Sequence, residues 1–266
     1  MIGSQASSQG RMPAVFIGHG NPMNALERNA YSVSWEKLGE TLPRPRAILS
    51  ISAHWYVPGS RVSSNERPRT IHDFGGFPRP LYDVRYPAAG SPRLAGRIRE
   101  LLSPTPVELD DRWGLDHGTW SVLVHMFPSA DIPVVQLGID ETLSAEEHYA
   151  LAKGLRPLRD EGVLVLGSGN VVHNLHAYAW GRRSAEPYDW AVQFESKLRE
   201  LLSAGDFDAV VAYESFGRDA ALSAPTPDHF LPLLYVIAQA DQAESVAFPV
   251  EGFDGGSVSM LGVLIS

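Results

Sequence analysis

Five of the nine histidines in this 266-residue chain stand where a fold could gather them. His19 follows the apolar run Met12–Ile17 through Gly18 and is itself followed by Gly20-Asn21-Pro22. His54 follows Ala47–Ala53, and His173 follows Gly162–Leu166 through Gly167-Ser168-Gly169-Asn170. His117 comes directly after Asp116 at the head of an apolar segment, and His229 closes Pro225-Thr226-Pro227-Asp228 ahead of another. Imidazole is a common ligand for zinc and non-haem iron, and three protein ligands with open positions make a catalytic metal site. An unperturbed imidazole also titrates close enough to neutrality to move protons. The recurrent strand-then-histidine pattern predicts His19 and His54 as metal ligands. His173 and His117 are read as ligands or proton-transfer groups, and His229 as a ligand or merely part of a capped helix start. His72, His125, His148 and His176 lack this context and are assigned surface or core roles.

Other chemistries are disfavoured by what the chain lacks. With no cysteine there is no disulfide, thiolate metal site, iron–sulfur cluster or cysteine nucleophile, so a metal must sit on nitrogen and oxygen. Gly167-Ser168-Gly169 does not complete a nucleophile elbow, and the glycines around His19 and Ser168 miss the dinucleotide and P-loop spacings. A net charge of −9 without a Lys/Arg cluster argues against nucleic acid and anionic membranes as partners. No run approaches the roughly 20 apolar residues of a membrane span. The first eleven residues are rich in Ser, Gln and Gly and read as a loose tail, not a signal peptide. Together these features predict a cytoplasmic protein.

The elements that must position the histidines follow from alternating apolar and amphipathic runs. Strands are predicted over 12–17, 47–53, 107–109, 132–139, 162–166, 245–250 and 257–265. Helices are predicted over 31–41, 91–103, from Asp116 through Met126, 145–159, 190–202, 206–213 and onward from Pro225. The stretch 58–92, rich in Pro, Gly and aromatics, reads as a long loop, a length uncommon unless it covers a site. The pattern specifies one α/β domain over 12–266: a central, mostly parallel or mixed sheet with helices on both faces. Ligands in such sheets bind beyond the strand carboxyl ends, which places the metal site at that edge.

Six segments resemble the class III extradiol ring-cleavage dioxygenases, the LigB-like family, in its branch related to the plant DOPA dioxygenases. They are Gly18-His19-Gly20-Asn21-Pro22-Met23, Ser52-Ala53-His54-Trp55, Ile71-His72-Asp73-Phe74-Gly75-Gly76-Phe77-Pro78, Leu115-Asp116-His117-Gly118, Gly169-Asn170-Val171-Val172-His173-Asn174-Leu175 and Pro225-Thr226-Pro227-Asp228-His229, in the family's order. The resemblance implies a mononuclear divalent metal, Zn2+ or Fe2+, with O2 as co-substrate and a catechol as substrate. It implies His19, His54 and His229 as ligands, with His173 a further ligand in some members. His173 is also its acid/base, and His117 its hydrogen-bonding partner of the substrate, kept neutral by the helix dipole. The protocatechuate branch has a glutamate as third ligand, whereas His229 gives this chain an all-histidine set. The 74–82 loop is expected to cover the ring. The expected product is a ring-opened semialdehyde, and the expected assembly a monomer or small homo-oligomer.

Two other functions fit the same residues. A zinc hydrolase would use the histidines to activate water, but there is no His-Glu-x-x-His pair, and Asp116 and Asp228 are both accounted for as helix caps. A non-catalytic metal-binding protein on the same fold is the other.

Overall fold

In the computed structural model, which describes residues 10–241 and 243–266, four strands lie parallel at the centre of an eight-stranded sheet, three of them fully buried and the fourth buried except toward its carboxyl end. The predicted tail over 1–11 falls outside the described residues except for Gly10 and Arg11, and Arg11 is paired with Asp241 at 2.8 Å.

The strands of the sheet are β1 (Ala14–Gly18), β2 (Ala47–Val57), β3 (Ser60–Ser63), β4 (Val107–Asp110), β5 (Val134–Asp140), β6 (Val163–Gly169), β7 (Val246–Ala247) and, after the two-stranded ribbon β8 (Phe253–Asp254) and β9 (Val258–Ser259), β10 (Gly262–Ile265). Their order is β4-β3-β5-β2-β6-β1-β10-β7. β5, β2, β6 and β1 run parallel, while β3 against β5 and β10 against β1 are antiparallel, giving the mixed sheet expected. Because strand side chains alternate, each central strand feeds two cores. Ala14 and Phe16 join one core with Leu49 and Ile51, whereas Val15 and Ile17 join the other with Ile48.

Helices cover both faces. α1 (Ala30–Thr41) and, after the short α2 (Arg79–Asp83) and α3 (Pro92–Leu101), α4 (His117–Met126) supply Trp35, Leu38, Trp120 and Leu123 to the second core. α3 joins the first core through Leu94 and Ile98, together with α5 (Ala145–Lys153), α7 (Asp189–Ala204) and α10 (Leu231–Ile237), which follow or flank α6 (Pro157–Asp160), α8 (Phe207–Val211) and α9 (Arg218–Ser223). Among the described residues no helix is long and apolar enough to cross a membrane.

Several boundaries differ from the sequence expectation. The 145–159 helix breaks after Lys153, because Pro157 cannot donate to the ladder and starts α6 instead. The 58–92 loop contains β3 and α2. The segment from Pro225 is a turn, and its helix begins only at Leu231. Part of the last predicted strand is taken by β9, which pairs with β8 outside the main sheet.

Candidate metal centre and active site

The carboxyl ends of β1, β2 and β6 meet at one edge, and each delivers a histidine differently. His19 is the first residue past β1, and its N–H donates to the Gly169 carbonyl at the end of β6 (3.1 Å). His54 lies inside β2, not beyond it: the pairing with β5 shifts register between Ile51 and Tyr56, and this irregularity turns His54 toward the site. His173 follows β6 by four residues and is fixed by its N–H bond to the Ser223 carbonyl (2.7 Å) and a bridge to Val258.

His117 opens α4, where Asp116 caps the helix by accepting from Thr119 N at 3.1 Å. The cap is buried. Its carboxylate also accepts from Ser52 and Gln136, both at 2.7 Å, tying α4 to β2 and β5; burial, then the nearby Asp73 charge, pushes this carboxyl up. His229 stands in the turn before α10. That turn rests directly on Gly169, where a Cβ would come 2.1 Å from the His229 carbonyl oxygen, an approach only glycine permits.

All five histidines meet. Ring centroids separate His19 from His54 by 5.0 Å, from His117 by 5.6 Å and from His229 by 5.4 Å; His54 and His117 are 3.8 Å apart, and His173 and His229 3.5 Å. Nitrogens of His19, His54 and His229 lie within 4.8 Å of one another, and His173 is not in that group. The remaining histidines stay apart: His72 meets the Val84 carbonyl, His125 the Asn24 carbonyl and His148 the Tyr235 hydroxyl.

The partners of the outer nitrogens fix the tautomers. Ser168 Oγ donates to the Gly118 carbonyl and so accepts from His19 Nδ1 at 3.0 Å, which leaves a lone pair on His19 Nε2. His229 Nδ1 donates to Asp228 at 2.5 Å. His117 Nδ1 donates to Asp73 Oδ2 at 2.9 Å while its backbone N–H donates to Asp73 Oδ1 at 2.9 Å; the same Oδ2 lies 3.4 Å from His54 Nδ1. Carboxylate or hydroxyl partners of this kind orient metal-binding imidazoles and raise their basicity.

Two carboxylates therefore have roles that sequence reading missed. Asp228 is no helix cap, since no helix starts there. Burial works to raise its pKa, but the hydrogen bond and charge interaction with His229 outweigh it and hold the carboxyl down at about 2. Asp73, inside a stretch assigned only to covering the site, is likewise held below the ordinary carboxylate range by His117 against the effect of burial. Its signal was the His72-Asp73 pair in a loop too long to be idle, but loop periodicity cannot say which histidine a carboxylate will meet.

Burial and then the surrounding imidazoles push His19 and His54 well below the ordinary histidine value; burial and then His229 do the same for His173. The rings are neutral at pH 7, as ligands must be. His19 Nε2 and His54 Nε2 face each other at 3.1 Å. With Nδ1 of His19 already carrying its proton, its Nε2 lone pair faces His54 Nε2, and about 3 Å is the spacing of nitrogens that share a zinc or iron ion at bond lengths near 2.1 Å. The donor set thus fits a mononuclear divalent metal.

Beside the histidines lies a cavity of about 290 Å3, walled by Phe74, Phe77, Tyr178, Trp180, Leu175 and Val258. Phe74 packs against Phe77 (5.2 Å) and His117 (5.4 Å), so the expected covering loop does border the site.

A cluster of imidazoles beyond the ends of parallel strands, opening on an aromatic slot, fits a mononuclear metal centre on an α/β fold. The chain belongs to the LigB family: the family model for the catalytic LigB subunit of aromatic ring-opening dioxygenase matches residues 17–254. It is 51% identical over 261 residues to a 4,5-DOPA dioxygenase extradiol of Escherichia coli K12, covering 97% of this chain and 96% of that one. It is 39% identical over 252 residues to the 4,5-DOPA dioxygenase extradiol of Beta vulgaris, with 92% of each covered. A crystal structure of an uncharacterized protein from E. coli K12 superposes with a TM-score of 0.84 at 46% identity, covering 96% of this chain and 100% of that one. The protein is an extradiol aromatic ring-opening dioxygenase that uses a mononuclear metal and O2.

Proposed function

We propose that the chain opens the ring of a DOPA-like catechol, with His19, His54 and His229 holding one Fe2+ or Zn2+ ion. The observation that carries this reading is the pair of Nε2 atoms at 3.1 Å, with Ser168 hydrogen-bonded to the outer nitrogen of His19 and Asp73 3.4 Å from that of His54. When bound, the metal supplies Lewis acidity to the catechol oxygens and, as Fe2+, the electron density that O2 activation needs.

The chain's own residues supply the rest. His117, whose Nδ1–H is held by Asp73, presents Nε2 as an acceptor for a substrate hydroxyl. His173, its ring stacked on His229 and neutral, is placed to take a hydroxyl proton and return it as the ring opens. Phe74 and Phe77 cover the flat ring and exclude water.

Anaerobic reconstitution with Fe2+, followed by oxygen uptake and visible absorbance across a panel of catechols including DOPA, tests the proposal beside a zinc-loaded control. Uptake with the yellow of a ring-opened semialdehyde is expected. Failure of every catechol to consume oxygen overturns the proposal, and turnover by the zinc-loaded form identifies zinc as competent.

A further inference from the structure

The cavity beside the histidines has a floor and a mouth. His19, His117 and His229 line it as buried residues, whereas Trp180 lines it with 68% of its surface exposed and Leu175 with 45%. A catechol whose oxygens meet the histidines therefore carries its ring substituent toward Trp180. An amino-acid substituent brings an ammonium to that mouth, and among the described residues no Asp or Glu lines the cavity to receive it. Asp73 and Asp228 are bonded to His117 and His229 and are not part of the wall. What the mouth does offer is an indole face, which carries the negative end of the ring quadrupole and is the best aromatic receptor for a cation.

Trp180 is placed to act as that receptor. Among the described residues, the Lys and Arg groups that lie over aromatic rings do so on Tyr149, Phe216 and Phe248, not on Trp180. The indole is also firmly mounted. It packs at 62° to the Tyr178 ring with centroids 4.8 Å apart, and Tyr178 is buried with its hydroxyl donating to Asp254 at 2.7 Å. Asp254 is in turn held by Arg183 at 2.6 Å. The Gly255 turn seats the assembly: Ala179 N–H donates to its carbonyl at 2.9 Å, and a Cβ at Gly255 would run into the Tyr178 ring. A net charge of −9 further favours a cation over an anion at the surface.

We infer that Trp180 is a specificity-determining residue whose indole face receives the ammonium of an amino-acid group carried on the catechol ring. The inference rests on the catechol reading of the histidine site and deepens it. The carboxylate of the same group, with no Lys or Arg in the wall, stays in solvent.

Anaerobic calorimetric titration of the Fe2+-loaded protein with DOPA and with 3-(3,4-dihydroxyphenyl)propanoate reads this without turnover. The two ligands share ring, chain and carboxylate and differ by the ammonium, so the ratio of their Kd values isolates it. DOPA is expected to bind more tightly, and Trp180→Ala to shrink that advantage by about twofold to fivefold, the range of one exposed cation–ring contact. Trp180→Phe, which keeps a weaker ring face, is expected to fall between. A ratio unchanged by Trp180→Ala, a propanoate that binds the parent as tightly as DOPA, or a Trp180→Phe protein no better than Trp180→Ala overturns the inference alone. Absence of binding by both ligands and by unsubstituted catechol overturns it together with the ring-cleavage reading.

Discussion

His173 lies flat on His229, their ring centroids 3.5 Å apart and their planes 5° from parallel. The stack spends a face of His173 on a metal-site neighbour while its nitrogens remain outside the group formed by His19, His54 and His229. On the proposed reading it places a proton carrier beside the centre without adding a fourth donor to it. Replacing His173 with alanine should therefore preserve metal content, by elemental analysis, and lower turnover by the roughly 10²–10⁴-fold typical of a lost general acid/base. Loss of the metal along with turnover would instead make His173 a ligand.

His19→Ala, His54→Ala and His229→Ala should each reduce bound metal from stoichiometric to background. Each removes a third of the proposed donor set, and the His19 and His229 variants also leave Ser168 and Asp228 without their imidazole partners. Full metal content in any one variant would remove that histidine from the site.

Asp73→Asn tests the partner that sequence reading missed. The amide still accepts from the His117 N–H through one end, but its NH2 end opposes the His117 Nδ1–H and turns the ring's tautomer over. Activity is expected to fall by about 10–100-fold, as for other groups that orient site imidazoles. The isosteric variant should keep its fold by circular dichroism. Activity within twofold of the parent would show that Asp73 merely fills space.

The neutral histidines also set the acid stability of the metal-free protein. Burial and neighbouring imidazoles hold His19, His54 and His173 well below 6.5, whereas in the unfolded chain each takes up a proton near that value. Below about pH 6.5 the unfolded state binds more protons than the folded one, so stability must fall with pH, by up to about 1.4 kcal/mol per unit for each site. Asp228, held at about 2, keeps its contribution until the pH drops through the ordinary carboxylate range. Calorimetry of the stripped protein should show Tm decreasing from about pH 7.5 to 5. A flat Tm across that interval would mean that the cluster is already charged.

The central strands were legible because buried parallel strands leave continuous apolar runs, and 14–18, 47–53 and 163–166 are such runs. The helix at His117 was legible for a local reason as well: Asp116 and the apolar segment after it carry the cap and the buried face within a few residues. The position of His54 was not, because a register shift is a property of β2 and β5 together and leaves no mark in either alone. Nor was the turn at His229. Two prolines before an apolar stretch read equally well as a helix start, and only contact with Gly169 decides where the helix can begin.

By itself the sequence determined the type of chemistry: histidines after apolar strands, no cysteine, no basic patch, and six ordered segments of one enzyme family. Residue type and strand polarity are enough for that, since parallel strands bring their carboxyl ends to one edge whatever lies between them. Which histidines bring their nitrogens within reach of one another, which one stacks beside that group, and which carboxylates meet them were decided only by the tertiary structure. Asp73 and His117 are 44 residues apart and Ser168 and His19 are 149 apart. Hydrogen bonds over such separations depend on how elements pack against one another, and no local pattern along the chain records them.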